Sequence, residues 1–160
     1  MPDIRPCLWF DTQAEDAARL YTSVFPNSRI VEVTHYGEAG PREAGTVMTV
    51  VFELDGTPFM ALNGGPQFTF DEAVSFEIDC ADQEEVDFYW ERLTQDGGEE
   101  GPCGWVKDRF GVSWQVVPQR LNELVADPDP SVSQPAIAAM LQMRKIDVAA
   151  LEQAATGARA

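Results

Sequence analysis

Hydrophobic and polar positions along the chain change period in one order, and then do so again. Ile4 to Phe10 is a short apolar run, which predicts a strand, and Asp11 and Thr12 after it are both residue types that cap helices. From Gln13 the period lengthens. Ala14, Ala17, Ala18, Tyr21 and Phe25 recur three and four apart, as an amphipathic helix requires, until Pro26 and Asn27 stop it. Arg29 to Tyr36 reads as a strand and Gly37 to Gly45 as a loop. Thr46 to Leu54 and Pro58 to Leu62 then read as a hairpin across Asp55-Gly56. Asn63-Gly64-Gly65-Pro66 breaks the chain, and Gln67 to Glu72 reads as a connector.

The second half repeats that order. Val74 to Cys80 predicts a strand, and Asp82 with Glu85 three residues on has the spacing of a capping box. Val86, Tyr89, Trp90 and Leu93 form the helical stripe, which ends at Asp96-Gly97-Gly98. A weak strand within Glu99 to Pro102 precedes two clearer ones, Trp105 to Lys107 and Val112 to Val117, joined by a turn at 108–111. On the last strand Val112, Trp114 and Val116 share one face, and Ser113, Gln115 and Val117 share the other. The pattern is βαβββ written twice, an α+β arrangement with module one at about 1–65 and module two at about 73–118.

After Pro118 the character changes to helix. Gln119 to Val125 is one short segment, and Asp127-Pro128-Asp129-Pro130 is a break. Pro135 is expected in the first turn of a helix reaching Met143, and Asp147 caps a last one through Ala155. This divides the chain into a domain at 1–125 and a helical extension at 126–160. The extension carries Leu141, Met143, Ile146, Val148 and Leu151, which have to cover either their own sheet or a second copy.

Composition narrows the possible partners. A formal charge of −16 repels nucleic acid and anionic membrane surfaces, so neither is an expected partner. No apolar run approaches the roughly 18 residues of a membrane span, and MPDIRPCLWFD lacks the form of a signal peptide. A cytoplasmic location is the expectation. Cys7, Cys80 and Cys103 are odd in number and far apart, which fits free thiols better than a disulfide framework.

With FDTQAEDAARLYTSVFPNS, LNGGPQFTF, SFEIDCADQEEVDFYWERL, CGWVKDRFGVSWQVVP and the tail AMLQMRKIDVAALEQA, the chain resembles the PhnB-like group. That group is labelled 3-demethylubiquinone 3-methyltransferase-like and sits within the vicinal oxygen chelate superfamily, alongside glyoxalase I and bleomycin-resistance proteins. The resemblance implies paired βαβββ modules, each a half-open sheet with its helix outside, around a cavity, and it implies a homodimer. It does not settle function, since the superfamily hosts isomerases, dioxygenases, epoxide-opening enzymes and binding proteins.

Metal-dependent members of that superfamily place a histidine near the start of the first strand of each module and a glutamate on a late strand. The matching positions here are Arg5 or Pro6, Ala73, Asn63 and Gln115, none of them an imidazole or carboxylate. No metal ligand set is therefore expected, and His35 is the only histidine. No cofactor is expected either, because Gly64-Gly65 and Gly97-Gly98 read as turns and not as a glycine-rich loop between strand and helix.

What remains is a cavity for a small organic molecule, lined by Trp9, Asn63, Ser75, Trp105 and Gln115, with either tryptophan alternatively a core residue. Glu77, Cys7 and Cys103 are the candidate catalytic groups if the protein is a metal-independent lyase, isomerase or transferase. A third reading makes the chain an interaction module assembling through its C-terminal helices.

Overall fold

In a computed structural model, residues 1–157 are described, so the last three residues of the expected extension lie outside them. Contacts divide the chain into two units, 1–70 and 71 onward.

The first unit runs β1 (Cys7–Phe10), α1 (Ala14–Val24), β2 (Arg29–His35), β3 (Val47–Leu54) and β4 (Thr57–Asn63). Its four strands are ordered β1-β4-β3-β2, with β1 parallel to β4 and the other pairs antiparallel. The predicted stripe Ala14, Ala17, Ala18 and Tyr21 is fully buried, and small alanines let α1 lie close on β3 and β4. Opposite them Leu8, Phe10, Val50, Phe52 and Ala61 form the sheet's half of the core. Phe52 and Phe59 stack at 5.4 Å between ring centroids. Each such side chain contributes about 1.5–3 kcal/mol on burial. The hairpin turn has Asp55 and Gly56 both at positive φ, 47° and 78°, as a two-residue turn between twisted strands requires.

Two expectations at the N-terminal end are corrected. β1 begins at Cys7 and not at Ile4, which is 94% exposed; Pro6 has no amide to donate, and only its carbonyl joins the sheet, accepting from Met60 N at 2.9 Å. Neither Asp11 nor Thr12 caps α1. Gln13 holds the cap position without a side-chain bond, and the Ala14 amide donates instead to Asn63 Oδ1 at 2.8 Å.

The second unit repeats the topology with β5 (Ser75–Cys80), α2 (Gln83–Thr94), β6 (Glu99–Glu100), β7 (Trp105–Lys107) and β8 (Ser113–Pro118), ordered β5-β8-β7-β6 with β5 parallel to β8. Asp82 caps α2 by accepting from the Glu85 amide at 3.0 Å. Glu85 reaches back to the Ala81 amide at 2.7 Å, one residue earlier than a regular capping box. Val86, Trp90 and Leu93 bury against Ile78, Cys80, Val106, Trp114 and Val116. The β7–β8 turn is held by Asp108, 2% exposed, whose carboxylate accepts from Phe110 N, Val112 N and Trp114 Nε1 at 2.9–3.1 Å. Arg109 stays outside, paired with Asp96 at 3.5 Å.

Three helices follow: α3 (Gln119–Val125), α4 (Pro130–Met140) and α5 (Val148–Gly157). Leu121, Leu124, Val132, Ala136, Ile146, Leu151 and Ala155 close into one cluster with Val117 at the end of β8. The 143–148 segment is latched to the module. Cys103 N donates to Met143 O and Gly104 N to Arg144 O, both at 2.8 Å. The Gln83 side chain donates to Ile146 O at 3.0 Å and accepts from Val148 N at 2.8 Å.

The expected place of Pro135 is corrected: it lies inside α4, whose first turn holds Pro130 with Asp129 as cap, accepting from Ser131 N at 2.9 Å. A proline with fixed φ directly after a capping aspartate defines a helix start better than one with no cap before it. Leu141, expected to cover surface, is 58% exposed, because α4 ends one residue before it.

Candidate functional site

Sheet register decides which side chains meet. On β8, Ser113 pairs with Lys107 of β7 and with Ser75 of β5, while Gln115 pairs with Trp105 and with Glu77. Paired residues share a face, and Trp114 and Val116 take the face against α2. Trp105, Lys107, Ser113 and Gln115 thus stand on the face turned away from the helix, as the alternation predicts. Glu99 of β6 pairs with Lys107 and extends that face to the sheet edge.

Here the second unit holds a pocket of about 450 Å³ lined by Trp105, Lys107, Ser113, Cys103, Glu99 and Glu72, with Glu100 and the 101–102 backbone at one side. Its polar groups differ in how they are occupied. Lys107 is ion-paired with Glu72 at the rim. That hydrogen bond holds the Glu72 carboxyl below its ordinary range and raises the Lys107 ammonium, with Glu99 and Asp71 adding to the latter. Ser113 is 1% exposed and its Oγ has no hydrogen-bond partner among the described residues. A buried hydroxyl left unpaired costs about 1–3 kcal/mol. Cys103 reaches the pocket from a tight turn in which it and Gly104 are both left-handed, φ 56° and 84°. A side chain at Gly104 would meet Val116 O at 2.9 Å, so only glycine fits there.

The other candidates divide between the two units. Ser75 and Gln115 are joined, Gln115 Nε2 donating to Ser75 Oγ at 2.9 Å, and neither lines the pocket. Glu77 is an exposed residue of β5. Trp9, in the first unit, is half-buried under its own connector: its indole N–H donates to Gly65 O at 2.9 Å, and Phe68 meets it edge-on at 5.0 Å. A Cβ on Gly64 would lie 2.2 Å from the Trp9 ring, so Gly64 leaves room for the indole, while Gly65 is left-handed at φ 110°.

Asn63 is 5% exposed and used at both ends. Its Oδ1 accepts from Ala14 N and its Nδ2 donates to Val47 O at 3.1 Å, while its backbone carbonyl accepts from Tyr36 Oη at 2.6 Å. Asn63 also touches a second recess of about 500 Å³ beside Thr12, Arg42 and Thr46.

Of the candidate thiols, Cys7 is not activated, and neither is Cys80, which was no candidate. Cys7 is exposed, and partial burial raises its thiol against the lowering effect of Arg5. Cys80, in the core, is pushed up to about 12 by burial, with Glu85 and Asp79 adding to the shift. Ser113 was not singled out from the sequence, although its place two residues before Gln115 on an alternating strand was the signal that could have found it.

A family model described as 3-demethylubiquinone-9 3-methyltransferase matches residues 2–117. The chain belongs to this family. It is PhnB-like, of the vicinal oxygen chelate superfamily, and has the α+β fold of the glyoxalase/bleomycin-resistance type. A PhnB protein from Bacillus cereus is similar at 35% identity and TM-score 0.65, over 73% of this chain and 99% of that one. Protein PA1353 from Pseudomonas aeruginosa, 20% identical with TM-score 0.60 over 74% and 98% of the two chains, shares the fold. So does the fosfomycin resistance protein FosX from Listeria monocytogenes, 18% identical with TM-score 0.54 over 79% and 98%. No curated protein matches the chain.

The metal that many members of this superfamily carry does not fit the donor set of this PhnB-like chain. Pro6 and Ala73 have no donor atom, Arg5 is cationic, the Asn63 amide is spent on Ala14 and Val47, and Gln115 offers a neutral amide in place of a carboxylate. Among the described residues no group of three His, Cys, Asp or Glu side chains converges, and no helix is long and apolar enough to cross a membrane.

Proposed function

We propose that this PhnB-like protein binds a small, partly apolar organic molecule in the pocket of its second module, with Trp105 as the apolar wall and Ser113 as the polar anchor. The supporting observation is the unpaired Ser113 hydroxyl, buried in the wall of a cavity of about 450 Å³. Hydroxyls in such surroundings are normally satisfied, and a ligand with one donor or acceptor satisfies this one. Family membership agrees with small-molecule binding, and the family's description does not fix the ligand of this chain. Trp9 and Asn63, expected in the same cavity from the sequence, are engaged within the first unit, and Ser75 and Gln115 are bonded to each other and do not line the pocket, so Trp105 and Ser113 carry the proposal.

Native mass spectrometry of protein purified gently from cells tests it. A retained organic mass that is lost in Ser113→Ala and Trp105→Ala, while Asn63→Asp keeps it, is the expected result. Retention in both pocket variants would refute the assignment. The same spectrum counts the chains in the particle and so reads the homodimer implied by the resemblance.

A further inference from the structure

Charge around this pocket is one-sided. Its walls carry Glu72, Glu99 and Glu100 against the single cation Lys107. Lys107 is engaged by Glu72. Glu100 accepts from Trp90 Nε1 at 2.9 Å through one oxygen and lies 3.9 Å from Arg144 through the other. The Glu99 carboxylate forms no hydrogen bond or ion pair among the described residues, and strand pairing sets Glu99 beside Lys107 on the face that holds Trp105 and Ser113. An anionic ligand entering here would meet the Glu99 carboxylate in excess, with the Lys107 ammonium already paired to Glu72 and Arg144 beside Glu100. A cation meets a free carboxylate, an indole face and an unsatisfied hydroxyl oxygen.

We propose that the pocket takes an organic cation: a flat apolar body lying on Trp105, with an ammonium or quaternary nitrogen held toward Glu99 and a polar atom within reach of Ser113. The proposal rests on the pocket reading above and names its ligand class. The formal charge of −16 on the whole chain works in the same direction, concentrating cations near the surface and repelling anions before they arrive.

Three probes with one naphthylmethyl body, ending in trimethylammonium, hydroxyl or carboxylate, test this by calorimetric titration of the full chain at low salt. The cation is expected to bind about tenfold more tightly than the carboxylate, the size of effect one carboxylate near a partly desolvated cation supplies. Glu99→Gln should weaken the trimethylammonium probe about three- to tenfold and leave the alcohol unchanged. Trp105→Ala should weaken all three. A carboxylate that binds as well as the cation, or a Glu99→Gln variant with unaltered preference, overturns the charge assignment while binding of the alcohol keeps the pocket. If none of the three binds, the pocket reading fails together with it. Glu99 is exposed on a two-residue edge strand, so its replacement does not endanger folding.

Discussion

Replacing Asn63 by alanine separates a structural amide from a ligand-binding one. In the folded chain Asn63 Oδ1 accepts from the Ala14 amide at 2.8 Å and Nδ2 donates to Val47 O at 3.1 Å, in a site only 5% exposed. The variant loses both bonds, at about 1 kcal/mol each, and strands the first amide of α1 beside a fully buried Ala14, a further penalty of about 1 kcal/mol or more. The expected destabilisation is about 2–4 kcal/mol, which for a chain of this size lowers Tm by about 6–12 °C. Urea unfolding followed by circular dichroism measures it, with an unchanged m-value showing that the unfolded state is not what moved. Asn63→Asp keeps an acceptor for Ala14, adds a negative charge at a helix N-terminus, and loses only the bond to Val47, so it should fall about midway. A loss below about 0.5 kcal/mol for Asn63→Ala would show that the amide does not hold the helix and is free for another use.

Gly64→Ala drives a methyl into the Trp9 ring, 2.2 Å from its nearest carbon, so the indole must leave Gly65 O; a cost of about 1–3 kcal/mol and a red-shifted tryptophan emission are expected, and an unshifted spectrum would contradict the contact. Cys80 supplies a pH test. Its folded pKa of about 12 lies above the ordinary 9.0, so the stability from keeping the thiol neutral is present below pH 9 and is lost as pH rises toward 12. The decline in urea midpoint between pH 9 and pH 10.5 should therefore be smaller in Cys80→Ala than in the parent, and equal slopes would refute the assignment.

The duplicated βαβββ order was legible because each helix carries its own stripe, Ala14 to Tyr21 and Val86 to Leu93, and each is followed by strands bounded by turn residues. The front and back faces of β8 were legible for the same reason, since alternation is a local property. Two kinds of feature were not. The acceptor for the start of α1 comes from Asn63, some fifty positions away, and no local pattern predicts a cap supplied by a distant strand. Whether an amide or hydroxyl is free or spent is likewise a matter of partners. Asn63 and Ser113 look equally available in the sequence, yet the first is bonded at both ends and the second at neither. Pro135 misled because proline marks a helix start only where a cap precedes it, and Asp129-Pro130 supplied that pair earlier.

The latch between 103–104 and 143–148 also bears on the order in which the chain can fold as it is made. The first unit has all its strands and its helix once Phe70 has emerged, so it can close while the rest is still being synthesised. The second cannot. The amides of Cys103 and Gly104 wait for carbonyls forty residues downstream, Gln83 waits for Ile146 and Val148, and Val117 has no cover until α4 and α5 arrive. For that interval the nascent chain pairs a finished module with one whose sheet is covered by α2 on one face while Val117 and the apolar side of α3 still wait for α4 and α5.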